Sequence, residues 1–151
     1  MTPAACAVLE FANSEAAALN HHYLSTEHIL LGVMREANSD AEHVLASRTD
    51  VATVRACVRE TVDVGRDPPR GDLPLTPQAA RVLHLARREA KMYGEKHIAP
   101  KHLLLGILRG GEGTATQVLL RLGIDLVAVR VELSRALGPT GRDPFGEDDS
   151  G

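Results

Sequence analysis

An all-α fold, assembled from two tandem copies of one four-helix unit, is predicted by three features of this 151-residue chain. Aromatic residues supply only 3% of it and Trp is absent, while hydrophobic residues reach 44%, so the core must be aliphatic and closely spaced, as between packed helices. The chain repeats itself at an offset of 74 residues. Within the repeated segments apolar residues recur at three- and four-residue steps, the period of a helix lying on a core. The length suits one domain of ordinary size with a substantial core.

The offset aligns Thr2–Arg35 with Thr76–Arg109 without a gap, 34 positions of which thirteen are identical, where average composition gives roughly two or three by chance. The identities include Thr2/Thr76, Pro3/Pro77, Ala5/Ala79, Glu15/Glu89, His28/His102, Gly32/Gly106 and Arg35/Arg109. The register continues through Val44-Leu45 and Val118-Leu119, then shifts by one residue to match Val54-Arg55 with Val129-Arg130. The expected organisation is repeat 1 over 1–63, a linker over 64–75, repeat 2 over 76–138 and a tail over 139–151, with 1–138 folding as one domain.

Each first helix has a start signal, because Thr2 or Thr76 can cap free backbone N–H groups and Pro3 or Pro77 occupies the first helical position. Asn20 and Gly94, which tolerate a left-handed backbone, end these helices. The second helices begin near Ser25 and Ala99, with Ser25 the cap and Pro100 favoured just inside the start. Ile29–Met34 and Leu103–Leu108 are apolar all round and belong to buried helices, in which Gly32 and Gly106 mark close approach of a neighbour. Two short helices follow in each copy, near 40–47 and 50–62 and near 114–122 and 125–137. Gly65, Pro68, Pro69, Gly71 and Pro74 exclude helix from the linker. The acidic tail, rich in Gly and Pro, is expected to be disordered. Cys6 and Cys57 are expected to be reduced packing residues.

A net charge of -3 supplies no field for polyanions, and scarce aromatics leave no stacking platform, which argues against nucleic-acid binding. With no apolar run of about 18 residues and no signal peptide, a cytoplasmic protein without a membrane span is expected. Seven histidines raise the question of metal, yet there is no His-Glu-x-x-His and no Cys-x-x-Cys, so neither metal nor another cofactor is expected. His28 and His102, equivalent residues at helix starts, are expected to hydrogen-bond neighbouring backbone.

The run Leu19-Asn20-His21-His22-Tyr23-Leu24-Ser25-Thr26-Glu27-His28-Ile29-Leu30-Leu31-Gly32 resembles the signature of the Clp N-terminal (Clp R) repeat. His102–Arg109, Gly111-Glu112-Gly113 and Val118–Ile124 are similar to the second repeat of ClpC-type AAA+ unfoldases. The resemblance spans residues 1 to about 138 and implies an eight-helix pseudo-twofold bundle. Such a domain receives adaptor proteins and substrates for an unfoldase and its peptidase. It implies no catalysis, and no G-x-x-x-x-G-K-[ST] phosphate loop, nor even a Gly-Lys pair, is present to hold ATP. The chain is then either a domain of a Clp unfoldase or a standalone regulator or decoy, and the acidic end at Asp148-Asp149-Ser150-Gly151 favours the standalone form. A monomer is expected, with Clp components, adaptors or substrates as partners. The alternative is a receptor that sequesters cyclic peptides directed at ClpC-type domains.

The resemblance also implies a site. The acid of Thr26-Glu27-His28 resembles a receptor for the guanidinium of phosphorylated arginine, whereas a carboxylate in a first helical turn is also simply stabilised by the helix dipole. In the second copy Pro100 and Lys101 replace Thr26 and Glu27, reversing the charge, so the second pocket is expected to be lost or changed. A hydrophobic groove between the repeats is expected at Met1, Thr2 and Ala5 beside Leu75, Thr76 and Ala79, with ordinary core packing the competing account of these residues.

Overall fold

The computed structural model describes residues 1–137, so the expected tail lies outside the described residues. Eight helices follow in chain order: α1 (Pro3–Ala18), α2 (Thr26–Arg35), α3 (Asp40–Ala46), α4 (Val51–Thr61), α5 (Pro77–Met92), α6 (Pro100–Gly110), α7 (Thr114–Arg121) and α8 (Leu126–Leu137). Among the described residues there is no strand beyond a single bridge between Leu24 and Leu75, and no helix is long and apolar enough to cross a membrane.

Local chemistry places the ends. The Thr2 and Thr76 hydroxyls accept the N–H groups of Ala5 and Ala79, each at 3.1 Å, with proline inside the first turn. Asn20 and Gly94 carry the left-handed backbone after α1 and α5, at φ 57° and 72°. Each long helix packs on its successor at a glycine. A Cβ on Gly32 would stand 2.2 Å from the Val8 carbonyl oxygen, and one on Gly106 would stand 2.5 Å from that of Val82. Both α2 and α6 are therefore held backbone-to-backbone against α1 and α5, with Ile29, Leu30, Leu31, Leu103, Leu104 and Leu105 sealed in the core.

The two copies interlock. α4 packs on α7 and α8 packs on α3, while α2 touches α7 and α6 touches α3. Every contact from one copy to the other has its mirror, which is a pseudo-twofold arrangement. The starts obey it too: Thr2 N–H donates to Ile98 in the turn of the second copy, and Thr76 N–H donates to Leu24 in the turn of the first. Cys57 is buried at the α4–α7 contact, 3.9 Å from the Val118 carbonyl oxygen. Cys6 corrects the sequence expectation, since it sits on the outward face of α1 and is exposed.

Residues 64–75 form no helix and are pinned across the turn between α1 and α2. Gly65 N–H donates to Leu19, the Asn20 amide donates to the Gly65 carbonyl, and Leu24 N–H donates to Pro74. The ring N–H groups of His21 and His22 donate to the carbonyls of Asp63 and Asp67 at 2.7 and 2.8 Å.

Candidate functional site

The turn that carries this pinning opens α2, and three side chains from it converge. Ser25 N–H donates to His28 Nδ1 at 2.9 Å, so the ring three residues into the structure caps the helix start in place of the usual carboxylate. That bond fixes the tautomer. With Nδ1 accepting, the proton of neutral His28 sits on Nε2 and is donated to His21 Nδ1, 2.8 Å away. His21 then carries its own proton on Nε2 and gives it to the Asp63 carbonyl. Burial, then the neighbouring His21, depress His28 to about 3, outweighing the attraction of Glu15. Tyr23 stacks on His21 with centroids 4.9 Å apart and tilts over His28, separating the buried rings from solvent.

Glu27 completes the cluster. It is only 1% exposed, its Oε2 lies 4.0 Å from His28 Nε2, and its buried Oε1 has no hydrogen-bond partner. Burial, then the charges of Glu27 and Asp63, push the Tyr23 hydroxyl up. One atom each of His21, Glu27 and His28 falls within 4.8 Å of the others, a spacing that invites a metal. Yet both facing ring nitrogens are used by their mutual bond, and His28 cannot turn a lone pair outward without losing the Ser25 cap. The trio is a hydrogen-bond chain beside a carboxylate that lacks a donor.

The second copy resolves the same geometry differently. His102 Nδ1 accepts Ala99 N–H at 2.8 Å, and its Nε2 donates to Glu95, the residue that replaces His21, at 2.7 Å. Burial outweighs Glu95 and lowers His102. Lys101, in the place of Glu27, lies 3.5 Å from the other Glu95 oxygen. The exchange of His21 and Glu27 for Glu95 and Lys101 makes an internally neutral pair where the first copy holds an unmatched negative charge.

The other expected site residues fall in different settings. Thr26 is buried, and its hydroxyl accepts Ala115 N–H from the first turn of α7 at 3.0 Å. Its edge closes a cleft lined by Gln78, Arg81, Glu112 and Gly113. Ala5 and Ala79 are fully buried core residues, and Thr2 and Thr76 are half-buried helix caps. Of the expected groove, Met1 and Leu75 are the members exposed, at 43% and 40%.

Sequence reasoning passed over one further cluster. Glu15 is buried and receives two bonds from Arg55, at 3.0 and 2.7 Å, and one from Arg35 at 2.9 Å. Burial raises this carboxyl, but the two guanidinium groups outweigh burial and hold it below its ordinary value. Glu89 and Arg109 repeat the pair at 2.7 Å. The signal was available, because both members of this pair are among the thirteen identities between the copies.

Comparison with known proteins adds the wider frame. Residues 1–48 and 53–148 match the family described as the Clp repeat (R) N-terminal domain. The ATP-dependent Clp protease ATP-binding subunit ClpA homolog of Guillardia theta is 39% identical over 140 residues, 92% of this chain and 17% of that protein. The chloroplastic chaperone protein ClpC of Pisum sativum is 38% identical over 138 residues, 91% of this chain and 15% of that protein. The chain thus spans about a sixth of the length of these relatives. The crystal structure of the N-terminal domain of ClpD from Arabidopsis thaliana superposes with a TM-score of 0.79 at 23% identity, covering 91% of this chain and 94% of that one.

Proposed function

The chain belongs to the Clp repeat (R) N-terminal domain family, and from that premise we propose that it is a protein-binding domain of the Clp system that recognises adaptors or marked substrates and carries no chemistry of its own. The observation that carries the finer reading is Glu27, a buried carboxylate whose Oε1 accepts no bond. Such a group is costly to keep unless something donates to it, and a guanidinium does so with two parallel N–H groups. A substrate marked at arginine is the ligand class that fits. Entry requires the Tyr23 ring to swing away from His21, after which the cation meets Glu27. Thr26 serves by holding the α2 start to α7, and Lys101 already occupies the cation position of the second copy. Met1 and Leu75, exposed beside the two caps, supply apolar contact for a protein partner.

Calorimetric titration of the full chain with a phosphoarginine peptide tests this. Binding should weaken at least tenfold in Glu27→Gln and stay unchanged in Lys101→Glu, with the unmodified arginine peptide as the reference. Equal affinity for the wild type and Glu27→Gln would remove the Glu27 assignment while leaving a Clp-system binding role in place.

A further inference from the structure

The unmatched charge at Glu27 has one protonatable neighbour that can meet it from inside the fold. His28 cannot be that neighbour while Nδ1 holds the Ser25 N–H and burial keeps the ring neutral. His21 can, because its Nδ1 carries a lone pair whose sole use is to accept the His28 N–H. A proton added there sets two N–H groups face to face across 2.8 Å, and they must part. The acceptor within reach is Glu27, one oxygen of which lies within 4.8 Å of a His21 ring nitrogen; its Oε1 is free and its Oε2 lies 4.0 Å from His28 Nε2, so its two oxygens can serve both rings. The other groups around this point are the Tyr23 ring stacked on His21, the Asp63 carbonyl on its Nε2, the Asp63 charge felt by Tyr23, and Glu15 from α1. Glu15 is already committed to Arg35 and Arg55.

The second copy shows what a filled version looks like. Where the first copy has Glu27 without a cation, the second has Lys101 paired to Glu95, with His102 donating to the same carboxylate. One histidine, one carboxylate and one further cation form a closed set there, and the first copy lacks only the cation.

We propose that the first repeat contains a proton-operated switch, in which His21 takes up one proton from solvent, exchanges its bond with His28 for an ion pair with Glu27, and so gives this copy the internal cation that Lys101 gives the second. The proton comes to rest on His21 Nδ1 and no other bond is made or broken covalently. Because His21 also holds the Asp63 carbonyl, the change is felt where the linker leaves α4. The switch stands whether or not a ligand uses the same carboxylate; where one does, acid and ligand compete for Glu27.

Side-chain NMR of the full chain without ligand tests this by itself. In the wild type, the ring nitrogens of His21 should pass from a singly to a doubly protonated pattern on acidification while His28 stays neutral, and the Glu27 side-chain carbonyl should respond at the same midpoint. Glu27→Gln should lower the His21 midpoint by about one pH unit, the effect of removing an opposite charge at this range, and leave His102 unmoved. Separate midpoints for His21 and Glu27 in the wild type would overturn the proposal even if the variant failed to fold. So would protonation of His28 ahead of His21, or a His21 midpoint that ignores Glu27→Gln.

Discussion

His28 is a helix cap with a titratable ring, and that combination has a measurable cost in acid. Its folded value of about 3 lies below the 6.5 of the free side chain, so between these limits the unfolded chain binds a proton that the folded chain refuses. Stability from this residue is complete above 6.5 and is lost as pH falls towards 3, at up to about 1.4 kcal/mol per pH unit. Glu15 works in the same sense but in a lower window, its lowered carboxyl supporting the fold above its ordinary value of 4.5 and losing that support only below it. The decline between pH 6.5 and 4.5 therefore belongs to the buried His28 and His102. Replacing His28 by Gln, whose carbonyl can still accept Ser25 N–H, should flatten that part of the profile and cost about 1–3 kcal/mol at pH 7. Urea unfolding at pH 7, 6 and 5 measures both, and an unchanged slope in His28→Gln would show that the ring is not refusing its proton. Little of this was legible beforehand. The repeat singled out His28 and His102 as backbone partners, but His21 lies in a turn, where no periodicity says which way a side chain faces. The burial of Glu27 was equally hidden, because a charged residue in a first helical turn is ordinarily solvated.

At the scale of elements, the sequence was most readable where one local rule acts alone. Thr-Pro starts, the Asn20 and Gly94 stops, and the glycines inside apolar runs each have a single stereochemical meaning, and the helices lie within a residue or two of their expected bounds. Cys6 shows the limit: on α1, rich in alanine, the apolar stripe is broad, and a small residue on its edge can face either way. Gly32 gives the sharpest test of the α1–α2 contact. In an exposed helix, Gly→Ala gains about 1 kcal/mol. Here the added methyl would meet the Val8 carbonyl oxygen, and neither backbone can yield without separating the helices. Gly32→Ala should therefore destabilise by about 1–3 kcal/mol or more, the cost of overpacking, and Gly106→Ala should do the same. Chemical denaturation of both variants decides it, and a gain in stability at either site would mean that the helices do not approach as described.

The whole molecule is more entangled than a tandem repeat implies. Identity at an offset of 74 residues says that two segments share local structure; it is silent on whether each copy closes its own core or lends surface to the other. The structure takes the second course. α4 packs on α7 as well as on α2 of its own copy, α8 packs on α3 as well as on α6, and the starts of α1 and α5 are each hydrogen-bonded to the opposite turn. Val54, Val58, Val129 and Leu133 are buried, although they belong to the helices that reach across. A single copy would expose the facing surfaces of α3 or α7 and the sides of α4 or α8 that pack on them, and each large apolar residue so uncovered forgoes about 1.5–3 kcal/mol when left in water. That loss is comparable with the entire stability of a small domain. Fragments 1–75 and 76–151 prepared separately should accordingly show weak helicity and no cooperative melting by circular dichroism, and an equimolar mixture should recover both. Cooperative melting of either fragment alone would mean that the copies are independent domains and that the crossed packing is secondary to each fold.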